Sequence, residues 1–411
     1  MTVAHAGPYS GGLNDPGNIH DAPVPGFVGP DGTGVSPEAS TNNFVNPLFF
    51  GWVEQFSEYA PSPGVATGWD DPSYALGPVT GDNWDIVSLG DLSAIAIGNG
   101  TSTGRITLNF VTPVRNLSGA DFVVFENGFA SEGGAGVAGQ IVGELAYVEV
   151  SSDGTDFARF PSRTLTPAAV GPYGTIDPTN VFNLAGKHGN GYGLSWGTPF
   201  DLSQLANDPR VLGGQVDLGA IRYVRIVDIP GSGNFTDSLG APIYDAWLTT
   251  GSGGFDLEAV GAISQNATFS SWASQNRLPA SSENQDTDGD GLVDLLEYAF
   301  ANIPTIPDNT TPSTLLSVAS GRLQITFQRD ERAVDLIYEV QTSDDLLAWT
   351  TIAKSEGGGP VAGANGFAPE ITETSASPIA SVGVIRRVVV RDVADLLTKP
   401  RRFLRVRIVK P

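Results

Sequence analysis

The stretch Arg105-Ile-Thr-Leu-Asn-Phe110 alternates polar and apolar side chains at every position. In an extended chain this period of two places Ile106, Leu108 and Phe110 on one face and the polar residues on the other. Such a pattern predicts a half-buried strand of an antiparallel β-sheet. Similar strand-like runs follow at 121–125, 146–150, 223–227 and 255–260. The sequence therefore predicts an all-β fold.

The composition agrees with many short strands joined by turns. The 411 residues include 51 glycines and 29 prolines, which are spread along the chain without a repeat. We therefore predict a large jelly-roll-like β-sandwich, with long loops at one end, over residues 46–262. Alternating runs at 323–327, 337–341 and 403–409 predict a smaller C-terminal β-sandwich over residues 314–411.

Between and before the sandwiches the pattern changes. Residues 263–305 combine two short stretches of helical spacing with an acidic loop, so we expect a short helical calcium-loop module there. Residues 306–313 are rich in Pro, Asn and Thr and are predicted to be a linker. Residues 1–45 are rich in Gly, Pro, Asn and Asp, and we predict a signal remnant followed by an extended N-terminal arm.

The acidic loop reads Asp286-Thr-Asp-Gly-Asp-Gly-Leu-Val-Asp-Leu-Leu-Glu297 and has the spacing of an EF-hand calcium loop. Such loops supply oxygen ligands from positions one, three, five, seven, nine and twelve, with a glycine at position six for the sharp turn. Gly291 occupies that sixth position. We therefore predict one structural calcium ion with these ligands: Asp286, Asp288, Asp290, the backbone carbonyl of Leu292, Asp294 and Glu297.

The net charge of −23 is concentrated in the first 311 residues, which hold 34 acidic and 9 basic residues against 11 and 13 in residues 312–411. Such a surface repels phosphate backbones and anionic lipid, so we expect no nucleic-acid partner. No run of about 18 apolar residues is present, which argues against direct membrane insertion. The chain has no cysteine, which excludes disulfides, thiol catalysis and cysteine-type zinc sites.

The N-terminal region indicates export. Val3-Ala4-His5-Ala6 has the A-x-A pattern that precedes a secretory cleavage site. We therefore expect a protein that is secreted or displayed on the surface of a bacterium. Without disulfides, bound calcium is the device available to stabilise such a protein outside the cell.

Several segments resemble known families. The Asp286–Glu297 loop, with the Leu-Leu-Glu-Tyr-Ala of 295–299, resembles the thrombospondin type 3 and dockerin-like calcium modules of large bacterial surface proteins. Residues 338–349 resemble the β-sandwich that often follows such a module in secreted proteins. The long domain resembles a bacterial cell-surface family, and the shared segments are 57–64, 121–129, 146–154, 243–245 and 253–261.

The resemblance implies a location at the cell surface. Because some relatives are encoded beside outer-membrane corrinoid (vitamin B12) uptake systems, it also implies a role in ligand capture, with an outer-membrane transporter as a partner.

Residues 69–85 concentrate aromatic and acidic side chains in a turn-rich stretch. Aromatic faces on loops stack against neutral ligands such as sugars or a corrin ring, and neighbouring carboxylates orient those ligands. The alternative is that the aromatic rings fill the core of the sandwich. On the first interpretation the candidate ligand-binding residues are Trp69, Asp70, Asp71, Tyr74 and Trp84.

Two further groups of polar residues are candidates for a site. Glu126 and Asn127 follow an apolar strand, so they bind a ligand, bind a second calcium ion or simply form a turn. Sandwich domains often hold a structural calcium between long loops, and carboxylate oxygens suit that ion. The aspartates of one glycine-rich section are the candidates for it: Asp228, Asp237, Asp245 and Asp256.

Signals for catalysis are weak. His188 lies in a glycine-rich loop and is expected to be exposed, and the chain contains no G-x-S-x-G nucleophile motif. A glycosidase needs a pair of carboxylates, and Glu54, Glu58, Glu144 and Glu149 could supply one.

We therefore expect an exported, calcium-stabilised cell-surface protein that captures a small neutral ligand, a corrinoid or a glycan, without catalysis. A purely structural or adhesive role is the first alternative, and glycoside hydrolysis is the second.

Overall fold

The structure is a computed structural model that describes residues 23–28, 43–131, 140–191, 195–307, 313–377 and 382–411. Strands make up 37% and helices 10%, which confirms the predicted all-β fold. The signal-like residues 3–6, most of the expected N-terminal arm and residues 308–312 of the predicted linker lie outside the described residues.

The chain divides into two compact units. The first unit extends to Gln265, three residues beyond the predicted end of the large sandwich. The second unit begins at Asn266 and contains both the acidic loop and the C-terminal strands.

The first unit consists of strands with the short helices α1 (Ala94–Gly98) and α2 (Pro209–Leu212) and single 3-10 turns at Pro72–Ala75, Pro178–Asn180 and Leu202–Leu205. Its strands are β1 (Val24–Pro25), β2 (Phe27–Val28), β3 (Phe44–Val45), β4 (Gly51–Trp52), β5 (Gln55–Ala60), β6 (Val87–Ser88), β7 (Arg105–Val114), β8 (Phe122–Glu126), β9 (Phe129–Ala130), β10 (Ile141–Val142), β11 (Ala146–Ser151), β12 (Ala158–Arg159), β13 (Arg163–Thr164), β14 (Val181–Phe182), β15 (Trp196–Phe200), β16 (Ile221–Asp228) and β17 (Asp256–Ala262).

The two main sheets of this unit have the strand order of a jelly roll. One sheet contains β4-β17-β8-β15, with β1 beyond β15, and the other contains β7-β16-β11-β12, with β5 beyond β7. All of these neighbours are antiparallel. With β4 as the first strand, this is the 1-8-3-6 and 2-7-4-5 arrangement of an eight-stranded roll.

Side chains from both sheets meet in one apolar core, as the alternating pattern predicts. Ile106 and Leu108 of β7 are fully buried there and face side chains of the opposite sheet such as Phe122 and Val124 of β8. The alternation therefore assigned the inward face of these strands correctly.

At one end of the roll the inward-facing positions change from apolar to acidic. In β8 the core residues Phe122 and Val124 are followed two residues later by Glu126. In β16 the core residues Val224 and Ile226 are followed in the same way by Asp228. Glu144 stands two residues before Ala146, the first core residue of β11. Because strand side chains alternate between faces, the three carboxylates continue three apolar inward rows.

The second unit begins with α3 (Phe269–Gln275), a 3-10 turn (Ser282–Asn284) and α4 (Asp294–Phe300). Thr268 caps α3: its hydroxyl accepts from Ser271 N, and Ser271 Oγ accepts from Thr268 N. Tyr298 of α4 lies fully buried, with Oη 2.8 Å from Asp335 Oδ1. The acidic loop lies between the 3-10 turn and α4, so ordered structure anchors both of its ends.

The strands of the second unit form two antiparallel sheets. They are β18 (Thr314–Ala319), β19 (Arg322–Asp330), β20 (Ile337–Ser343), β21 (Thr350–Glu356), β22 (Ala362–Gly363), β23 (Glu370–Ser375), β24 (Ile385–Asp395) and β25 (Phe403–Val409). The sheet orders are β18-β19-β24-β23 and β22-β21-β20-β25. Phe327 of β19 and Tyr338 of β20 belong to different sheets, and their rings stack with centroids 6.2 Å apart. The Tyr338 hydroxyl also donates to Ala299 O, which ties α4 to the sheets.

In the described part of the chain, none of the helices has the length and apolar character required to span a membrane.

Candidate functional site

Three aspartates of the acidic loop converge. Asp286, Asp288 and Asp290 place carboxylate oxygens within 4.8 Å of one another, a spacing that suits a single cation. Asp288 Oδ2 is buried and has no hydrogen-bond partner in the described residues. Partial burial, together with the neighbouring Asp290 and Asp286, raises the pKa of Asp288. A carboxylate oxygen without a hydrogen-bond partner, beside two other carboxylates, fits a hard cation such as calcium.

The backbone of the loop holds this arrangement. Gly289 N and Gly291 N donate to the two carboxylate oxygens of Asp286, at 2.8 and 2.9 Å. Asp290 N donates to Asp288 Oδ1 at 3.1 Å. Gly291 has a φ of 100°, which side chains with a Cβ rarely adopt, so a glycine is required at this position.

The remaining predicted ligands are close in sequence but differ in role. Leu292 N donates to Asp290 Oδ1 at 2.8 Å. Asp294 is fully buried, and both of its carboxylate oxygens accept from Thr287, so in this structure Asp294 braces the loop. Glu297 is fully buried in α4. Asp294 and Glu297 do not belong to the group within 4.8 Å.

The aromatic candidates lie at the surface of the first unit. The rings of Trp69 and Trp84 stack with centroids 5.2 Å apart and an interplanar angle of 20°. Trp84 is 71% exposed and Tyr74 is 42% exposed, whereas Trp69 is half-buried. These residues therefore do not plug the core, and the Trp69–Trp84 pair forms a preformed aromatic platform.

Local hydrogen bonds fix the platform loops. Trp84 N donates to Asp82 Oδ1 at 3.0 Å, and Trp69 O accepts from Ser88 N at 2.8 Å. Asp70 and Asp71 are exposed, and each uses Oδ1 in a turn, accepting from Gly68 N and Ser73 N respectively. Both carboxylates therefore stabilise the turns beside Trp69.

Glu126 and Asn127 do not belong to that platform. Glu126 is 1% exposed, so its carboxylate does not lie on the protein surface. Asn127 is half-buried, and its Nδ2 donates to Asn83 O at 3.3 Å. Of the three roles considered for them, binding a ligand, binding a second calcium ion or forming a turn, the surface-ligand role is the one that this burial disfavours for Glu126.

A group of buried carboxylates occupies the acidic end of the roll. Burial raises the pKa of each of them far above the ordinary range, and their mutual repulsion adds to the effect. Burial also raises the pKa of Asp256 to about 8. The fully or almost fully buried members are Glu126, Asp228, Asp245 and Asp256, and the half-buried member is Glu144. Three of the four aspartates predicted for a second metal site therefore come together, with two glutamates that the sequence analysis did not place beside them.

Asp237 does not join this group. Its Oδ2 accepts from Arg163 Nη1 and Thr164 N, and its Oδ1 accepts from Leu239 N and Ala241 N. A carboxylate with four donors, one of them an arginine, is a structural brace. Asp237 was assigned to a second metal site because it is close in sequence to the other aspartates. In the fold it does not lie in their group.

Thr249 links the acidic end to a surface cleft. Its backbone N donates to Asp91 Oδ2 at 3.0 Å, and its hydroxyl is hydrogen-bonded to Glu144 Oε1. Thr249 and Asp91 line a cleft of about 260 Å³ together with apolar residues that include Leu92 and Leu248. The three aromatic candidates do not line this cleft.

Two of the four glutamates considered for catalysis are paired with arginines, and His188 is buried. Glu58 pairs with Arg105 at 2.6 Å, and Glu149 lies between Arg159 and Arg225. His188 is fully buried, so the expectation that it is exposed was wrong. Its glycine-rich loop packs inside the roll: Gly189 forms a β-bridge with Glu126.

Comparison with known protein families finds no family model that matches this chain, and comparison with curated protein sequences finds no match.

Proposed function

We propose that the protein captures a small neutral ligand on the aromatic platform formed by Trp69 and Trp84. The observation that carries the proposal is the stacked and exposed pair itself. An indole that is 71% exposed leaves a large apolar face in water, and a second indole holds it in a fixed orientation. A preformed aromatic surface loses little conformational entropy when it binds.

The charge of the surroundings defines the class of ligand. The unit that bears the platform belongs to the strongly acidic part of the chain, and Asp70 and Asp71 are exposed beside Trp69. Anionic ligands are repelled there, whereas a neutral ring with hydroxyl or amide groups can stack on the indoles and donate to the carboxylates. A sugar and a corrinoid both meet this description.

The proposal includes one calcium ion in the 286–297 loop. Asp286, Asp288 and Asp290 would supply carboxylate oxygens, and Leu292 its backbone carbonyl. Glu297 would complete the site from the first turn of α4, and Asp294 would contribute indirectly because Thr287 occupies its oxygens. The ion would stabilise the second unit, since it would tie the loop to the buried face of α4.

We also propose export to a bacterial surface, with the ligand passed on to an outer-membrane transporter. The signal-like residues 3–6 and the cell-surface resemblance of the long domain support this location.

A structural or adhesive role is the second candidate, and a different surface supports it. Strand β18 lies at the end of its sheet order, and Leu315, Leu316 and Val318 are more than half exposed. Exposed apolar strands at a sheet edge are common sites of association.

The test of capture is ligand binding by the intact chain. Sugars and corrinoids are titrated while tryptophan fluorescence is recorded, for the wild type and for Trp84→Ala. Tyr173→Ala, which removes another exposed aromatic ring (64% exposed), is the matched control. Saturable binding that Trp84→Ala weakens and Tyr173→Ala leaves unchanged supports capture. If both variants bind as well as the wild type, the proposed role of the platform is contradicted.

A further inference from the structure

Besides Asp91 and Asp228, whose Oδ1 and Oδ2 respectively also lack partners, three buried polar side chains at the acidic end of the roll have atoms without hydrogen-bond partners in the described residues. The atoms are Glu126 Oε2, Asp256 Oδ1, and both Oδ1 and Nδ2 of Asn190. Each of these residues is at most 3% exposed, so solvent does not replace the missing partners. A buried polar atom without a partner is costly, and three residues of this kind in one place call for a ligand.

The backbone brings the three residues together. Asn190 N donates to Glu126 O at 2.8 Å, and Asn127 N donates to Asp256 O at 3.3 Å. In the sheet, Glu126 pairs with Leu257, the neighbour of Asp256. Residues from β8, from β17 and from the loop 183–191 therefore meet around one strand end.

The charge at this position is strongly negative. Asp228 and Asp245 are buried in the same group, the half-buried Glu144 also belongs to it, and Asp91 approaches it through Thr249. The basic side chains from the packed loop are those of Lys187 and His188, both fully buried. One lysine and one histidine cannot offset six carboxylates, so the remaining charge is balanced by protons or by a bound cation.

We propose that this end of the jelly roll binds a divalent cation of the calcium class through Glu126, Asp256 and Asn190. Two carboxylates and an amide oxygen, with backbone carbonyls nearby, form an all-oxygen donor set, which hard cations prefer. In the described residues only Asp286, Asp288 and Asp290 bring three carboxylates within 4.8 Å, so the buried site relies on two carboxylates and a neutral oxygen. The site is independent of the acidic loop, because the two belong to different units.

Such an ion would close the core of the roll. Without an ion, the carboxylates at the ends of the inward rows would lie against the apolar interior and repel one another. These carboxylates belong to Glu126, Glu144 and Asp228. Bound to residues of β8, β17 and the loop 183–191, the cation would hold the long loops at this end in place.

The experiment counts calcium ions in the intact chain by equilibrium dialysis and elemental analysis, with native mass spectrometry as a second readout. We expect two ions per chain in the wild type and one in the double variant Asp288→Ala/Asp290→Ala. Adding Glu126→Gln to that double variant should remove the last ion. Adding Glu258→Gln should not, because the Glu258 carboxylate is buried in the same unit but accepts from Thr80 N and Gly81 N.

A wild-type count of two ions supports the buried site and a count of zero overturns it, even where a variant fails to fold. A single wild-type ion that disappears in Asp288→Ala/Asp290→Ala would overturn the buried site, since protons alone would then balance its charge. A single ion that persists in that double variant and is lost with Glu126→Gln would support the buried site and contradict the loop site. Retention of an ion in both Glu126→Gln and Glu258→Gln backgrounds would also overturn the proposal.

Discussion

The indole rings of Trp69 and Trp84 lie 5.2 Å apart and nearly parallel, although Trp84 is mostly exposed to solvent. The two residues are 15 positions apart in sequence, and hydrogen bonds to Asp82 and from Ser88 hold their loops. A stacked pair at the surface contributes little to the core of the roll. The exposed pair therefore supports the proposed capture of a neutral ligand.

The platform predicts separate effects on binding and stability. Trp84→Ala should weaken the capture of a neutral ligand by about tenfold or more, because an aromatic contact is worth roughly 0.5–1.5 kcal/mol beyond its buried area. The melting temperature should remain within about 1 °C of the wild type, since the side chain is mostly exposed. Fluorescence titration and calorimetry measure the two quantities. A large fall in melting temperature would show that Trp84 is part of the packing.

The acidic loop predicts calcium-dependent stability. Removal of calcium with a chelator should lower the melting temperature, because an ion at 100 times its Kd stabilises the folded state by about 2.7 kcal/mol. At roughly 2–4 °C per kcal/mol, the shift is on the order of 5–10 °C. Asp288→Ala should reduce the response to chelator. Asp345→Ala, which changes an exposed turn aspartate of the same unit that accepts from Leu347 N and Ala348 N, should leave the response intact. Equal responses in both variants would contradict the loop assignment.

The buried carboxyl of Glu258 predicts that the stability of the protein depends on pH. Burial raises the pKa of this carboxyl to about 7 from an ordinary value of 4.5, so the folded state holds the proton more tightly than the unfolded state. Its contribution to stability is therefore complete below pH 4.5 and is lost as the pH rises to 7, by an amount on the order of a few kcal/mol. Glu258→Gln should remove this part of the pH dependence.

Urea unfolding at pH 5 and pH 8 tests the point. We expect the wild type to lose more stability than Glu258→Gln between the two values. An identical loss in both proteins would show that Glu258 does not change its protonation over this range.

The contacts of Asp237 predict that its removal lowers the free energy of unfolding without changing the metal content. Asp237→Ala removes the partner of Arg163 and leaves Thr164 N, Leu239 N and Ala241 N without their acceptor. The loss should be about 3 kcal/mol in the free energy of unfolding. Calcium content per chain should be unchanged. If the variant lost one ion and kept its stability, Asp237 would be a metal ligand and not a structural residue.

Much of the fold follows from alternation in the sequence. Ile106, Leu108 and Phe110 are inward-facing, as the period of two predicts, because β-strand side chains point to opposite faces in turn. The same rule predicts an inward position for Glu126, because this residue continues the inward row of Phe122 and Val124. In the sequence analysis this strand-end glutamate was considered as a ligand-binding residue, a second calcium ligand or a turn residue, although its parity indicates an interior position.

Other parts of the site could not be obtained from sequence. Asp237 and Asp245 are eight residues apart and chemically identical, yet only Asp245 joins the buried group, where Leu145 N donates to it. Asn190 lies far from Glu126 in sequence and reaches it only through a bridge between distant segments. The exposure of Trp84 likewise depends on how its loop packs, because tryptophan is more often buried.

Capture of a neutral ligand on the platform is tested most directly by titrating the calcium-loaded wild type and Trp84→Ala with a panel of sugars and corrinoids while tryptophan fluorescence is recorded. The account predicts saturable binding of one ligand class by the wild type, weakened about tenfold or more in Trp84→Ala and unchanged in Tyr173→Ala. Binding that is equally strong in Trp84→Ala, or no binding by the wild type across the panel, would contradict it.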